Sequence, residues 1–325
     1  MPANLPPDYF AAEERYRQAK TNEEKIRILE EMLAIMPKHK GTDHLKADLR
    51  SKISRLQKEG SKKKVVARYN PYAVEREDCP QVVLIGPPNS GKSSLLNALT
   101  GAASEAAEYP YTTVKPFPGI FRCDNFRFQL LDLPPIVGDS MEGWMGDLIR
   151  ASDGAMIVLD VSRAETMNEM ETLFIALDNA NVFLQGLKGE NPPLGTIPKT
   201  AIAALNKSDA AAPEALESLK GEFEERFITV KTSAVGNPNS NDICRGLARC
   251  LKVMRIYTKI PGRQADMDEP YIVNVGTNVI SLAGIVHREL AENFKYARVW
   301  GGKTFDGQRV GKEHRLEDEY VVELH

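Results

Sequence analysis

The chain is 325 residues long, a length that predicts about two domains. With 42% hydrophobic and 27% charged residues it has the composition of a globular protein, which excludes a fully disordered or fibrous chain. No apolar run of about 18 residues is present, and the N-terminal stretch lacks the basic start and apolar core of a secretory leader. Cys79, Cys123, Cys244 and Cys250 form no metal-ligand pattern, so a soluble cytoplasmic protein with reduced thiols is expected. The net charge of −3 is unevenly spread: residues 1–70 carry 16 Lys+Arg against 10 Asp+Glu, whereas residues 255–325 carry 10 against 11. The acid excess therefore lies in the middle, behind a basic N-terminal arm.

Residues 1–70 read as helical. Thr21 to Glu24 fits a capping box, Ile26, Leu29, Leu33 and Met36 recur at helical spacing, and Pro37 stops the run. A second helix starts near Thr42 with Leu45, Leu49, Ile53 and Leu56 on one stripe, followed by Lys62, Lys63 and Lys64. Together they predict a basic helical hairpin. From Cys79 to Val253, apolar runs at Gln81–Ile85, Phe126–Leu131, Gly154–Asp160 and Thr200–Leu205 read as strands. Gly91–Leu99, Glu165–Leu187, Pro213–Glu225 and Asp242–Val253 read as helices between them. That alternation predicts an α/β domain with a mostly parallel sheet covered on both faces. The tail from Arg255 has strand-like pieces at Tyr271–Val275, Ala297–Trp300 and Tyr320–Leu324 around one helical segment, Ser281–Phe294, and reads as a small α+β unit.

The strongest chemical signal is Gly86-Pro-Pro-Asn-Ser-Gly91-Lys92-Ser93, directly after a strand and opening a helix. Glycines let the backbone wrap a phosphate, and amides from Ser90 to Ser94 sit at a helix N-terminus that favours negative charge. Lys92 is placed to neutralise β- and γ-phosphates and Ser93 to ligate Mg²⁺. Asn206-Lys207-Ser208-Asp209 follows a second strand. Its Asp209 carboxylate can accept two hydrogen bonds from guanine, its Lys207 stem can lie along the base, and Asn206 can tie this loop to the phosphate loop. After another strand, in Thr232-Ser233-Ala234, the Ala234 amide is placed to reach the guanine O6. Between these lie two candidate switch segments: Tyr109–Lys115, which could bring a threonine to the metal, and Asp132-Leu-Pro-Pro135, whose aspartate can hold a Mg²⁺ water.

GPPNSGKSS, YPYTTVKP, DLPP, NKSD and TSA together resemble the Obg-related GTPases, most closely the developmentally regulated GTP-binding (DRG) proteins. The resemblance extends to Pro7-Asp8-Tyr9-Phe10 at the start and to Tyr257–Gly262 and Val299–Gly302, which look like a C-terminal TGS domain of β-grasp fold. It implies three parts: a helical arm at 1–70, a P-loop GTPase domain at 79–253 and a TGS-like domain at 255–325. It further implies a cytoplasmic GTPase acting at the ribosome or in translation, with Thr113 as the switch threonine on Mg²⁺ and Asn89 holding K⁺ near the phosphates. Two features depart from the family. The stretch between Pro135 and Asp209 is too short for the small domain that DRG proteins insert, and Pro135 replaces the glycine of the family's DxPG. That glycine's amide binds the γ-phosphate, and proline has no N–H.

Two readings follow. In one, a slow K⁺-stimulated GTPase uses Lys92, Ser93, Thr113 and Asp132 on phosphate and metal, with K⁺ at Asn89 in place of an arginine finger. In the other, a GTP-gated RNA- or ribosome-binding module barely hydrolyses GTP because Pro135 uncouples the switch. NKSD disfavours a third, an ATP-dependent kinase. The basic arm suits RNA, or equally a solvated face on the acidic domain.

Overall fold

The run Gln-Val-Val-Leu-Ile is buried at every position because it forms the middle strand of a parallel sheet, where both faces are covered. The computed structural model describes residues 6–19, 22–36, 45–46, 48–54, 72–102, 115–186, 191–236, 238–302 and 304–325. Two compact units, Met1–Pro71 and Tyr72–His325, make up the chain.

In the first unit α1 (Pro7–Gln18) and α2 (Asn22–Ile35) pack together, joined by an Arg15–Glu31 ion pair at 2.6 Å. Tyr9, Ala12, Leu29, Met32 and Met36 share one apolar cluster with Leu49 of α3 (48–54). Where a two-helix hairpin was expected, the described residues hold the helices α1, α2 and α3. The α1 face is built from Tyr9, Ala12 and Tyr16 rather than an aliphatic stripe, which is why the pattern concealed it. Thr21, Pro37, Leu56 and Lys62–Lys64 lie outside the described residues.

The second unit holds two sheets. The first contains β1 (Gln81–Ile85), β2 (Phe117–Cys123), β3 (Phe126–Asp132), β4 (Gly154–Asp160), β5 (Val182–Gln185), β6 (Ile197–Asn206) and β7 (Ile228–Lys231). Its order is β2-β3-β1-β4-β6-β5, with β7 also on β6, and every pairing is parallel except β2 with β3. Side chains alternate along β1: Val83 and Ile85 meet one face's core with α5 (Gly143–Ala151), α6 (Thr166–Asn179) and α7 (Pro213–Glu224). Val82 and Leu84 meet the other with α4 (Lys92–Thr100) and α8 (Ser240–Leu251). The second sheet has order β11-β10-β12-β8-β9, from β8 (Val253–Lys259), β9 (Tyr271–Asn274), β10 (Ala297–Trp300), β11 (Gln308–Val310) and β12 (Tyr320–Leu324). Helix α9 (Val279–Val286) covers one face through Val279 and Leu282.

The helix expected over Glu165–Leu187 ends at Asn179. Asn181 takes a left-handed turn (φ 57°), and Val182–Gln185 alternates buried and half-buried side chains as β5. A short apolar run after a helix offers no periodicity to separate the two states. Lys252, also left-handed at φ 52°, caps α8 directly before the next strand, so Val253 belongs to β8. The single helix expected at Ser281–Phe294 is split by His287, whose backbone is extended and whose imidazole accepts the Glu289 amide at the start of α10 (Arg288–Glu292).

The β2–β3 hairpin turns on Asp124 and Asn125, both left-handed, and its tip is clamped to the second sheet. Arg255 on β8, 7% exposed, donates to the Asp124 carbonyl at 2.8 Å, stands 4.7 Å above the Phe126 ring, and pairs with Asp318 at 2.7 Å and Glu319 at 2.8 Å. The Asn125 amide donates to the Tyr257 hydroxyl at 3.1 Å and the Met267 carbonyl at 3.0 Å.

Candidate functional site

The site lies where β1, β3, β4 and β6 end together. Leaving β1, the backbone passes so close to β4 that a Cβ on Gly86 would lie 2.4 Å from the Val158 carbonyl oxygen. Asn89 is exposed and left-handed at φ 59°, Ser90 is fully buried, and Gly91 takes φ 88° before Lys92 opens α4. A Cβ on Gly91 would lie 2.3 Å from the Asn206 amide nitrogen, so only glycine admits both the turn and its neighbour. Ser93 and Ser94 follow in the first turn of α4.

Asn206 at the end of β6 is the hub. Its amide donates to the Ser90 carbonyl at 2.9 Å, and its side-chain oxygen accepts the Ala234 N–H at 3.2 Å. This joins the phosphate loop, Asn206–Asp209 and Thr232–Ala234 in one hydrogen-bonded frame. The Ala234 amide expected at a guanine oxygen is directed to Asn206. Ser233 accepts the Gly236 amide at 3.1 Å, Ser208 donates to the Thr232 carbonyl at 3.0 Å, and Asp209 is exposed beside them. Lys207, left-handed at φ 58°, sends its ammonium to Asp160 at 2.7 Å. The sequence reading did not assign Asp160; its signal was an acid closing an apolar strand, in Leu159-Asp160-Val161-Ser162.

Lys92 is 6% exposed and donates to the Gly86 and Pro87 carbonyls at 3.1 and 3.0 Å. Burial pushes its ammonium down to about 8, with Asp132 opposing. A bound phosphate favours the charged form, so nucleotide affinity is highest below pH 8 and falls as Lys92 loses its proton in the free protein. Between pH 7 and pH 9 GDP affinity is expected to weaken about tenfold by calorimetric titration; a flat profile contradicts this assignment. Ser93 donates to one Asp132 oxygen, and the other is buried with no partner among the described residues. Burial raises the Asp132 carboxyl above its ordinary range, against the Ser93 bond and the Lys92 charge. A serine hydroxyl and an orphaned carboxylate oxygen are the ligand chemistry of a hard divalent cation. Thr113 and the rest of Tyr109–Val114 lie outside the described residues.

After Asp132, every amide up to Ile136 is absent or engaged. Leu133 donates to Leu84 at 3.4 Å, Pro134 and Pro135 have no N–H, and Ile136 donates to Gly86 at 3.3 Å. Ile136 is buried in the core cluster, whereas Pro135 is exposed. A substitute for the family's glycine amide is therefore not among residues 133–136.

The family described as 50S ribosome-binding GTPase matches residues 81–185, and the TGS domain matches residues 254–325. Developmentally-regulated G-protein 1 of Arabidopsis thaliana is 29% identical, over 93% of this chain and 90% of that protein. Human developmentally-regulated GTP-binding protein 2 is 27% identical, over 93% and 98%. An uncharacterized GTP-binding protein of Methanocaldococcus jannaschii is 28% identical, over 93% and 92%. The Arabidopsis alignment runs 360 positions against a chain of 325 residues, so that relative has segments which this chain lacks. Fold and site thus define a P-loop GTPase domain followed by a TGS domain of β-grasp fold. Within that class the chain is a GTP-binding GTPase, similar over 93% of its length to the developmentally regulated GTP-binding proteins.

Proposed function

We propose that this protein hydrolyses GTP slowly with Mg²⁺ and K⁺ in the cytoplasm, acting on a ribosomal partner. The observation that carries the nucleotide reading is the Asn206 hub, which fixes a phosphate loop and a guanine-reading loop in one frame. Asn89, Ser90, Gly91, Lys92, Ser93 and Ser94 would hold the phosphates, and Asn206, Lys207, Asp209, Ser233 and Ala234 the base. Ser93 and Asp132, with Thr113, would hold Mg²⁺, which supplies charge neutralisation at the β- and γ-oxygens. Lys92 neutralises the same oxygens, and Asn89, exposed at the loop's turn, is the K⁺ ligand. The ribosomal partner is supported by the description of the matching GTPase family and by the basic charge of residues 1–70. The working parts are the arm at 1–70, the G domain at 79–253 and the TGS-like domain at 255–325. No helix among the described residues is long and apolar enough to cross a membrane.

One observation favours a second reading, a GTP-gated binding module with little hydrolysis. Residues 133–136 offer no unengaged amide to a γ-phosphate, while the hairpin that ends in Asp132 is clamped at its far tip to the TGS sheet. Single-turnover GTP hydrolysis in matched K⁺ and Na⁺ buffers separates the two. Faster turnover in K⁺ supports the first reading, and tight GTP binding with no turnover in either buffer supports the second. Under the second reading Pro135→Gly is expected to raise the rate about 100-fold, roughly the worth of one lost charge-stabilising donor; an unchanged rate removes Pro135 as the cause.

A further inference from the structure

Asp160 closes β4 beside Asn206, with which it pairs in register, and is 2% exposed. One carboxylate oxygen receives the Lys207 ammonium at 2.7 Å, and the other receives the Ser162 amide at 3.1 Å and the Ser162 hydroxyl at 2.5 Å. Burial works to raise its carboxyl, and the bonds from Lys207 and Ser162 outweigh it, leaving the group below the ordinary carboxylate range. The carboxylate is therefore ionised at neutral pH. Lys207 is held at three points: its left-handed backbone, its stem, whose Cε lies 3.9 Å from where a Cβ on Gly91 would sit, and its ammonium at Asp160. The stem thereby runs as a fixed apolar bar from the guanine-reading loop across the phosphate loop.

We infer that Asp160 is a positioning residue of the guanine-nucleotide site: it pins the Lys207 ammonium so that the lysine stem is already laid out where a flat purine base must rest. This deepens the nucleotide reading above and rests on it. The physical reason is entropic. A free lysine side chain samples many rotamers, and ordering it on binding weakens the complex, whereas a lysine ordered in advance by a buried carboxylate avoids that loss. Asp160 touches no nucleotide; it acts through Lys207. Its carbonyl also accepts the Thr166 hydroxyl, and Ser162 belongs to the same turn, so a purely structural role for that turn is the competing explanation.

The test is a double-mutant cycle in full-length protein, read as GDP affinity by calorimetry, with ADP as the base control. Asp160→Asn keeps the size of the side chain and an acceptor for Ser162 but removes the charge that holds Lys207. It is expected to weaken GDP about tenfold. Lys207→Met keeps an apolar stem and has no ammonium to hold, so adding Asp160→Asn to it should change affinity less than twofold. Undiminished loss in the Lys207→Met background overturns the inference, because Asp160 would then act through its turn. Ser162→Ala, which removes the hydroxyl bond of the turn and leaves both the Ser162 amide bond and the ion pair, should bind GDP as wild type does. A tenfold loss in Ser162→Ala overturns the inference even if Asp160→Asn fails to fold. Wild-type protein that does not prefer GDP to ADP sinks the guanine reading, and this inference with it. Clear preference for GDP together with full affinity in Asp160→Asn sinks the inference alone.

Discussion

Gly91→Ala is expected to weaken guanine-nucleotide binding at least about 100-fold while leaving the second sheet folded. Two effects combine. A non-glycine residue at φ 88° carries strain of about 1–3 kcal/mol. The new methyl also lands 2.3 Å from the Asn206 amide nitrogen, so one of the two must move. Movement of Asn206 breaks its bond to the Ser90 carbonyl and loosens its hold on the Ala234 amide, about 1 kcal/mol for each hydrogen bond. The phosphate loop and the base-reading loops then no longer share a frame. Gly101→Ala is the matched control. Gly101 is also left-handed, at φ 69°, but has open space around its missing side chain. It should lose stability yet bind GDP within about threefold of wild type, because strain alone does not reach the hub. Equal losses of affinity in the two variants would mean that strain, and not the Gly91–Asn206 approach, sets the effect; titration calorimetry of both decides it.

What the sequence made legible was chemistry written in contiguous residues. Gly86–Ser93 and Asn206–Asp209 announce themselves because the first must carry its glycines and cation, and the second its amide, cation and carboxylate, within a few positions of a buried strand. The strands β1 and β4 were equally legible, since a run buried on both faces has no polar alternation to confuse it. Asp160 escaped notice because its role depends on β4 lying beside β6, a pairing that no local pattern encodes. The strand β2 was missed for a related reason. Its Phe-Pro-Gly start reads as a loop, and only antiparallel pairing with β3 makes it a strand. Val182–Gln185 continued an apolar helix without a break visible in composition, and the left-handed turn at Asn181 decided the matter. The break at His287 had no proline or glycine to mark it.

Arg255→Ala is expected to destabilise the second unit by about 2–3 kcal/mol and to lower its melting temperature by roughly 5–10 °C. Removing one partner of a fully buried ion pair costs about 3–5 kcal/mol. Here the guanidinium is buried, but the side chains of Asp318, Glu319 and Asp124 are 43%, 64% and 61% exposed, so water compensates part of the loss. The loss of the Phe126 contact and of the bond to the Asp124 carbonyl adds to it. The effect should depend on pH in a set direction. Burial works to raise the Asp318 carboxyl, but the Arg255 bonds and charge outweigh it and hold the group below its ordinary value. Its contribution to stability is therefore fully present above the unfolded-state carboxylate pKa and is lost as pH falls through the lowered folded value. Wild type and Arg255→Ala should differ most at neutral pH and less below about pH 4, where only the Phe126 contact and the bond to the Asp124 carbonyl still separate them. Asn125→Gly keeps the left-handed hairpin turn and removes only the bonds to Tyr257 and Met267, about 1 kcal/mol or a little more. Urea unfolding at neutral and acid pH measures all three proteins. An Arg255→Ala variant as stable as wild type at neutral pH would mean that the apolar contact between the sheets, through Val253 and Ile272 against the core under β2 and β3, joins them without the clamp.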